Sequence, residues 1–475
     1  MDQAIQITPT ETKTTSQNAR MIRLYTLFVS LFFLASVPIA VIYAKEWDFF
    51  ENLWRILTSP SKVLTDYFAL GGLGGTLFNV AICGLISNAV IYIFRVKVNA
   101  KTLAGYMMVI AHCFYGVNFF NMWPPFLGVI VFCLVRKKKI SENIHYAFFA
   151  TALAPFISEV LFRYPLGMEA TAGCGVNWIG ILIAVICGIG IGFIVLPLMP
   201  GTMAMYKEYS LYKAGLSIGL MGIFIYAFMY NTLGIPLTSA VVIDNPEYYA
   251  MPYAYRGFMN VFFLVFFGIT FIVGFCMRRG KIGEYKKLLK CTGHGTDFVD
   301  KFGMPLCFVN IAIYGLAFVA YLNVVMVLPS VLPFLPSGVG FTGPTAGVVL
   351  AAMTFAADGQ HPRNVLPIVV GYMSLQLLVI VICAISGLAV PWTLSTQAYI
   401  SGLAFATGLC PIAGKYGFKY GIIAGMLSAT ICTATASMHG GFVLYNGGFT
   451  AGLTALIMVP LLDYYGIEPK RDDDV

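Results

Sequence analysis

Few residues of this chain could do chemistry, and most of those stand inside apolar runs. Asn79 and Asn310 lie well within equivalent spans, where a side-chain amide is costly unless it finds a partner. They either face a polar solute or tie helices together. Two polar tips interrupt apolar stretches, Gly116-Val-Asn118-Phe-Phe-Asn121 and Asp358-Gly-Gln-His361-Pro-Arg-Asn364. Non-helical backbone at membrane depth is tolerated only where protein or a watery cavity surrounds it, and the free N–H groups opening the next helix favour anionic or carbonyl oxygen. Asn118, Asn121, His361 and Asn364 are therefore candidate solute contacts, unless both tips are ordinary loops. Pro155 and Pro411 each free a carbonyl one turn earlier, at Thr151 and Thr407, which suits a cation such as Na+ or simply kinks the helix. Glu159, one turn after Pro155, is a candidate for proton or cation coupling, or one half of a rim ion pair with Arg163. Tyr445 and Asn446 sit in a glycine-rich stretch from His439 to Gly452, in contact with solute or in plain helix packing.

The elements that must hold these residues are membrane spans. The chain has 475 residues, of which 59% are hydrophobic and only 11% charged. Soluble domains carry about 25% charged residues, and disorder requires low hydrophobicity, so both classes are excluded. Apolar runs at 23–44, 68–94, 142–162, 177–200, 215–235, 257–277, 304–328, 396–413, 418–437 and 445–465 read as ten helical crossings. Two further apolar regions, 102–135 and 344–386, are broken in the middle and read as hairpins. Their first arms, 102–115 and 344–357, are short for a full crossing, whereas the arm 364–386 is long enough for one.

With both termini placed in the cytoplasm, all but six of the 29 Lys and Arg fall on cytoplasmic segments. The six are Lys45, Arg55, Lys62, Arg163, Arg256 and Arg363. The basic residues are spread over loops rather than gathered on one face, which argues against nucleic acid. Residues 46–66 mix aromatics and charges as an interfacial helix does, with Trp47 and Trp54 as anchors. The basic loop 278–303 suits anionic headgroups. Eleven cysteines, Cys174 among them, show no CxxC pair, and neither a disulfide nor a metal site nor a cofactor is expected. HExxH and GxxxxGK[ST] are both absent, so the expectation is not an enzyme. Asp472 to Asp474 form a solvated acidic tail.

The chain is self-similar. Thr65-Asp66-Tyr67, Gly72 and Asn79 through Leu85 recur as Thr296-Asp297-Phe298, Gly303 and Asn310 through Leu316 at a constant offset of 231. Gly116, Asn121, Pro124 and Gly128 recur as Gly359, Asn364, Pro367 and Gly371. Ala150 to Pro155 recurs as Ala406 to Pro411, and Leu211 to Gly219 as Leu444 to Gly452. Five crossings separate Asp66 from Asp297, so the copies have opposite orientation. Thr65-Asp66 and Thr296-Asp297 themselves read as helix caps. The implied organisation is a cytoplasmic tail (1–22), a first span with its interfacial segment (23–65), repeat 1 (66–236), a linking span and basic loop (237–296), repeat 2 (297–466) and a second tail (467–475).

The segments GVNFFNMWPPFLG (116–128), TALAPFISE (151–159) and HGGFVLYNGGFTAGL (439–453) resemble those of a bacterial polytopic membrane family catalogued as domain of unknown function family 1576. The resemblance covers most of 60–465 and implies a bacterial integral membrane protein without naming an activity. In one departure, YKEYSLYKAG sets Lys213 opposite Asn446.

The expected fold is an all-α polytopic membrane protein of about ten transmembrane helices plus two broken or re-entrant hairpins, arranged as two inverted-topology repeats. Such repeats characterise secondary transporters with a midplane site. The expected function is alternating-access transport of a small polar or anionic solute in a bacterial plasma membrane, with Na+ or H+ as candidate coupling ion and a homo-oligomer left open. The alternatives are a channel-like facilitator and a non-transporting membrane protein, either a lipid-modifying enzyme or a partner subunit.

Overall fold

Lipid offers the backbone no hydrogen bonds, so an apolar run of crossing length must satisfy its own N–H and C=O groups, and the helix does so. The computed structural model describes residues 9–62, 65–164, 166–168, 176–237 and 255–470. Cys174, the tail from Arg471 and residues 1–8 lie outside these, as do positions 63 and 64 of the interfacial segment. Among the described residues all regular structure is helical. Ten helices among the described residues are long and apolar enough to cross a membrane: Thr15–Ala44, Tyr67–Ile93, His145–Phe162, Trp178–Met205, Lys213–Thr232, Arg256–Met277, Met304–Val331, Pro362–Ser386, Phe418–Met438 and Asn446–Tyr464.

Nine of these coincide with the expected crossings. The tenth is Pro362–Ser386, expected as half of a hairpin and apolar over its 25 residues. The run expected at 396–413 is helical as well, as Gln397–Ala406, a 3-10 turn at Thr407–Leu409 and Cys410–Tyr416. The other broken arms are Ala100–His112, Trp123–Val135 and the ten-residue Gly343–Ala352.

Contacts between loops define two ends. At one end Asn18 binds the Val299 carbonyl, Lys207 pairs with Asp463 at 2.7 Å, and the Lys415 ammonium reaches the Lys470 carbonyl. This end gathers the basic loops. At the other end Lys62 and Arg163 flank Glu159, and the amphipathic helix Phe49–Thr58 with the turn before it leaves Phe50 83% and Trp47 75% exposed, as an interfacial anchor requires.

The helix Tyr67–Ile93 begins with a break that the sequence prepares. Asp66 caps its first turn by accepting the Phe68 N–H at 3.0 Å. Gly72 then adopts φ +70°, which L side chains rarely do, and a Cβ there would strike the Glu46 carboxyl group. Glu46 caps the second start, accepting the Leu73 and Gly74 N–H groups at 2.6 and 2.7 Å. The corresponding stretch repeats the device: Asp297 caps Phe298–Phe302, Gly303 takes φ +78°, and Asn18 Oδ1 accepts the Met304 N–H. Burial pushes the Asp297 carboxyl above its usual range.

Close helix crossings are made at glycines. A Cβ on Gly192 would lie 2.1 Å from the Gly128 carbonyl carbon, and one on Gly188 2.5 Å from the Pro124 Cβ. In the other half Gly425 meets the Ile368 carbonyl and Gly371, and Gly421 meets Pro367. Both pairs space their glycines four apart, which lets backbones approach where lipid supplies no hydrophobic drive between helices.

Candidate functional site

Asn79 and Asn310, singled out in the sequence, each clamp the backbone of one tip. Asn79 donates both amide hydrogens to main-chain carbonyls of the first tip, Cys113 and Val117, each at 2.9 Å. Asn310 does the same for Ala356 and Gln360 of the second tip, each at 2.7 Å. Asn121 accepts the Asn118 N–H and donates to the Gly116 carbonyl, while Asn364 accepts the His361 N–H and donates to the Gly359 carbonyl. Asn118 then reaches the Ile56 carbonyl, and His361 Nε2 donates to the Cys291 carbonyl at 2.9 Å. Position by position, the two tips are built alike. Each Asn satisfies backbone groups that a broken helix leaves open in a water-poor interior.

Those last two contacts also place the tips. Ile56 belongs to the amphipathic helix and Cys291 to the basic loop, so the tips lie near opposite ends of the molecule. Between them the arms Ala100–His112 and Gly343–Ala352 pack on each other. A Cβ on Gly347 would sit 2.3 Å from the Ala111 carbonyl oxygen, and the Thr354 hydroxyl reaches Met108 Sδ at 3.4 Å.

The proline-interrupted spans carry matched 3-10 turns at Thr151–Leu153 and Thr407–Leu409. The carbonyls freed by Pro155 and Pro411 are taken up at once, Thr151 by the Ala154 N–H and Thr407 by the Cys410 N–H. The next carbonyls bind across the fold, Ala152 accepting from Leu444 and Gly408 from Leu211, both at 2.9 Å. The Thr151 and Thr407 hydroxyls donate back to Phe148 and Ala404, and Thr407 also accepts from Gln360.

Where the two arms cross, an aromatic layer fills the centre. The His112 ring stands 5.1 Å from Tyr115 and 5.0 Å from Tyr445, and Tyr212 stands 4.8 Å from Phe355 and 5.0 Å from Phe405. All six are buried. His112 Nδ1 bonds the Met108 carbonyl at 2.6 Å, which makes it the donor and leaves Nε2 of the neutral ring as acceptor. Tyr212 donates to the Ala351 carbonyl. The hydroxyls of Tyr115 and Tyr445, each on a side chain only 1% exposed, have no hydrogen-bond partner among the described residues. Unpaired buried hydroxyls are uncommon in native interiors and call for an explanation.

Of the residues proposed from sequence, Asn79, Asn118 and Asn121 meet at the first tip, and Asn310, His361, Asn364 and Thr407 gather at the second. Tyr445 alone faces the central layer. Its neighbour Asn446 turns aside, pairing with His439 Nε2 at 3.0 Å and with the Cys432 carbonyl. Glu159 lies apart in a buried ion cluster, 3.0 Å from Arg163 and 3.8 Å from Lys62. Lys213, opposite Asn446 in the repeat, pairs with Glu208 at 2.9 Å, and this bond holds the Glu208 carboxyl below its usual range.

Sequence reasoning passed over His112, Tyr115 and Tyr212. The signal was present as a departure from the repeat, since His112 stands where the second copy has Phe355, and Tyr115 where it has Asp358.

The family model described as protein of unknown function (DUF1576) matches residues 45–231 and 277–464, most of the chain. The chain belongs to this family. Its membrane character agrees with the ten apolar helices. No curated protein and no solved structure matches the chain. The family's description carries no activity.

Proposed function

We propose that the protein is a secondary transporter that moves a small polar or anionic solute by alternating access, with the solute held where the two broken arms cross. The observation that carries this reading is the pairing of matched tips at opposite ends with a buried polar-aromatic layer between them. Matching bonds from Asn79 and Asn310, from Asn121 and Asn364, and from Leu444 and Leu211 support two copies of one unit. The family match, on two stretches of almost equal length, supports the same division. Five crossings separate the copies, which makes them inverted, and inverted repeats place their site at the shared interface near the midplane.

In this reading each hairpin passes the midplane and its tip stops near the far face, so the tips serve as hinged plugs and the crossing serves as the site. The basic end is cytoplasmic, with both termini there, in a bacterial plasma membrane. Tyr115 and Tyr445 offer hydroxyls to the solute and His112 an acceptor nitrogen. Proton exchange at a buried imidazole or Na+ binding supplies the coupling.

The test is a thermal-stability screen of small polar and anionic solutes against purified protein and the Tyr115→Phe/Tyr445→Phe variant. Removing unpartnered hydroxyls costs the empty protein nothing, so both should melt alike without solute. A transported solute at about a hundred times its Kd should stabilise the parent by about 2.7 kcal/mol and the variant far less. A solute that stabilises both equally would place the site elsewhere. In vesicles, flux of such a solute should saturate, and flux linear in concentration and indifferent to ion gradients would favour a channel.

A further inference from the structure

The basic end carries a second feature that transport does not require. A cleft of about 720 Å3 opens between the loop Leu289–Cys291, the start of the helix Pro362–Ser386 and the Gly414–Phe418 connection. Lys290, Arg363 and Lys470 line it, and no lining residue is acidic. All three side chains are exposed, and none forms an ion pair among the described residues. The helix Phe418–Met438 begins at the cleft after Gly417, at φ +97°, and no side chain caps its first turn. Its open N–H groups add a partial positive charge. Leu366 and Phe418, which also line the cleft, present apolar faces, 51% and 53% exposed. Cationic groups above an apolar lip, at the starts of the apolar helices Pro362–Ser386 and Phe418–Met438, complement a phosphate with acyl chains below it.

We propose that this cleft is a binding site for the headgroup of an anionic phospholipid. Lys290, Arg363 and Lys470 hold the phosphate, and Leu366 and Phe418 lie along the upper acyl chains. A lipid fits better than a free anion because the apolar lip has no use for a soluble phosphate and the cleft opens where two helices of crossing length begin. Its floor is the second tip, since His361 lines the cleft and is bonded to Cys291. Occupancy therefore bears on the hairpin that the transport reading sets in motion, although the site stands whether or not that reading does.

The experiment is native mass spectrometry of the full chain purified with equal phosphatidylglycerol and phosphatidylcholine, beside the variant Lys290→Ser/Arg363→Gln/Lys470→Ser. The parent should retain phosphatidylglycerol preferentially. The triple variant, melting at the same temperature without lipid, should lose at least about tenfold of that preference, since each basic group near an anionic surface contributes roughly a factor of five. A second variant, Lys137→Ser/Lys138→Ser/Lys139→Ser, removes equal charge from another loop at the same end and should keep it. Equal losses in both variants would reduce the effect to general surface charge and overturn the site. Stabilisation of the parent by inorganic phosphate alone, with no preference between the lipids, would make the ligand a free anion and also overturn it. Deleting residues 471–475, with their three aspartates, should leave lipid retention unchanged; a large gain would make the acidic tail the resident ligand instead.

Discussion

Asn310→Asp is expected to leave little folded protein, although it changes a single atom of the side chain. The amide spends both hydrogens on the Ala356 and Gln360 carbonyls. A carboxylate at that position has no hydrogen to give and turns negative charge against two carbonyl oxygens in a buried site, which costs several kcal/mol, or about that much in forced protonation. Asn310→Ala should be milder. It leaves two carbonyls without partners, at about 1 kcal/mol each on the scale of interhelical bonds measured in membranes. Asn79→Asp and Asn79→Ala should behave alike at the first tip, and because the two sites share no partner, the double alanine variant should lose roughly the sum. Thermal unfolding of detergent-purified protein gives the comparison. If Asn79→Ala and Asn310→Ala melt with the parent yet abolish solute binding, the amides belong to the site and the clamp description is wrong.

Gly192→Leu and Gly425→Leu should be equally damaging by another route. A Cβ at Gly192 falls 2.1 Å from the Gly128 carbonyl carbon, and one at Gly425 falls 2.4 Å from the Ile368 carbonyl oxygen. Main chain cannot swing aside as a flexible side chain can, so the helices must separate. Overpacking of well-packed cores costs about 1–3 kcal/mol per small insertion, and leucine against backbone should exceed that. Size-exclusion chromatography should show aggregated or unfolded material for both leucine variants. Gly192→Ala should fold with a lowered melting temperature. Gly190→Ala and Gly201→Ala, whose added Cβ meets nothing within 4 Å, should stay within about 1 kcal/mol of the parent or gain slightly from better helix propensity.

How much of this was legible in the sequence depends on the kind of feature. Apolar runs and the distribution of Lys and Arg carry the spans, because lipid leaves the backbone one choice and the run length shows it. The caps at Asp66 and Asp297 were legible for a similar reason, as a carboxylate before an apolar run has one common use. The break at Gly72 was visible only as a repeated glycine, and its partner Glu46 comes from 26 residues upstream, beyond any local pattern. The Asn residues stood out as intramembrane amides, but spacing cannot distinguish an amide that faces solute from one spent on Cys113 and Val117 carbonyls 34 and 38 residues away. His112 went unnoticed because attention to a repeat favours positions that match. At the centre the two halves differ in sequence, with His112 at the position that Phe355 takes in the second.

In the transport reading the layer around Tyr445 opens to both sides of the membrane in turn. Tyr445→Cys in a cysteine-depleted chain, challenged with a membrane-impermeant thiol reagent in intact cells and again in inverted vesicles, addresses it directly. Alternating access through the crossing predicts labelling from each face, with a bound solute slowing both rates, while Gly84→Cys at a closed helix contact stays unlabelled. Labelling of position 445 from one face only, or from neither, would contradict the account and leave the aromatic layer as a packed core.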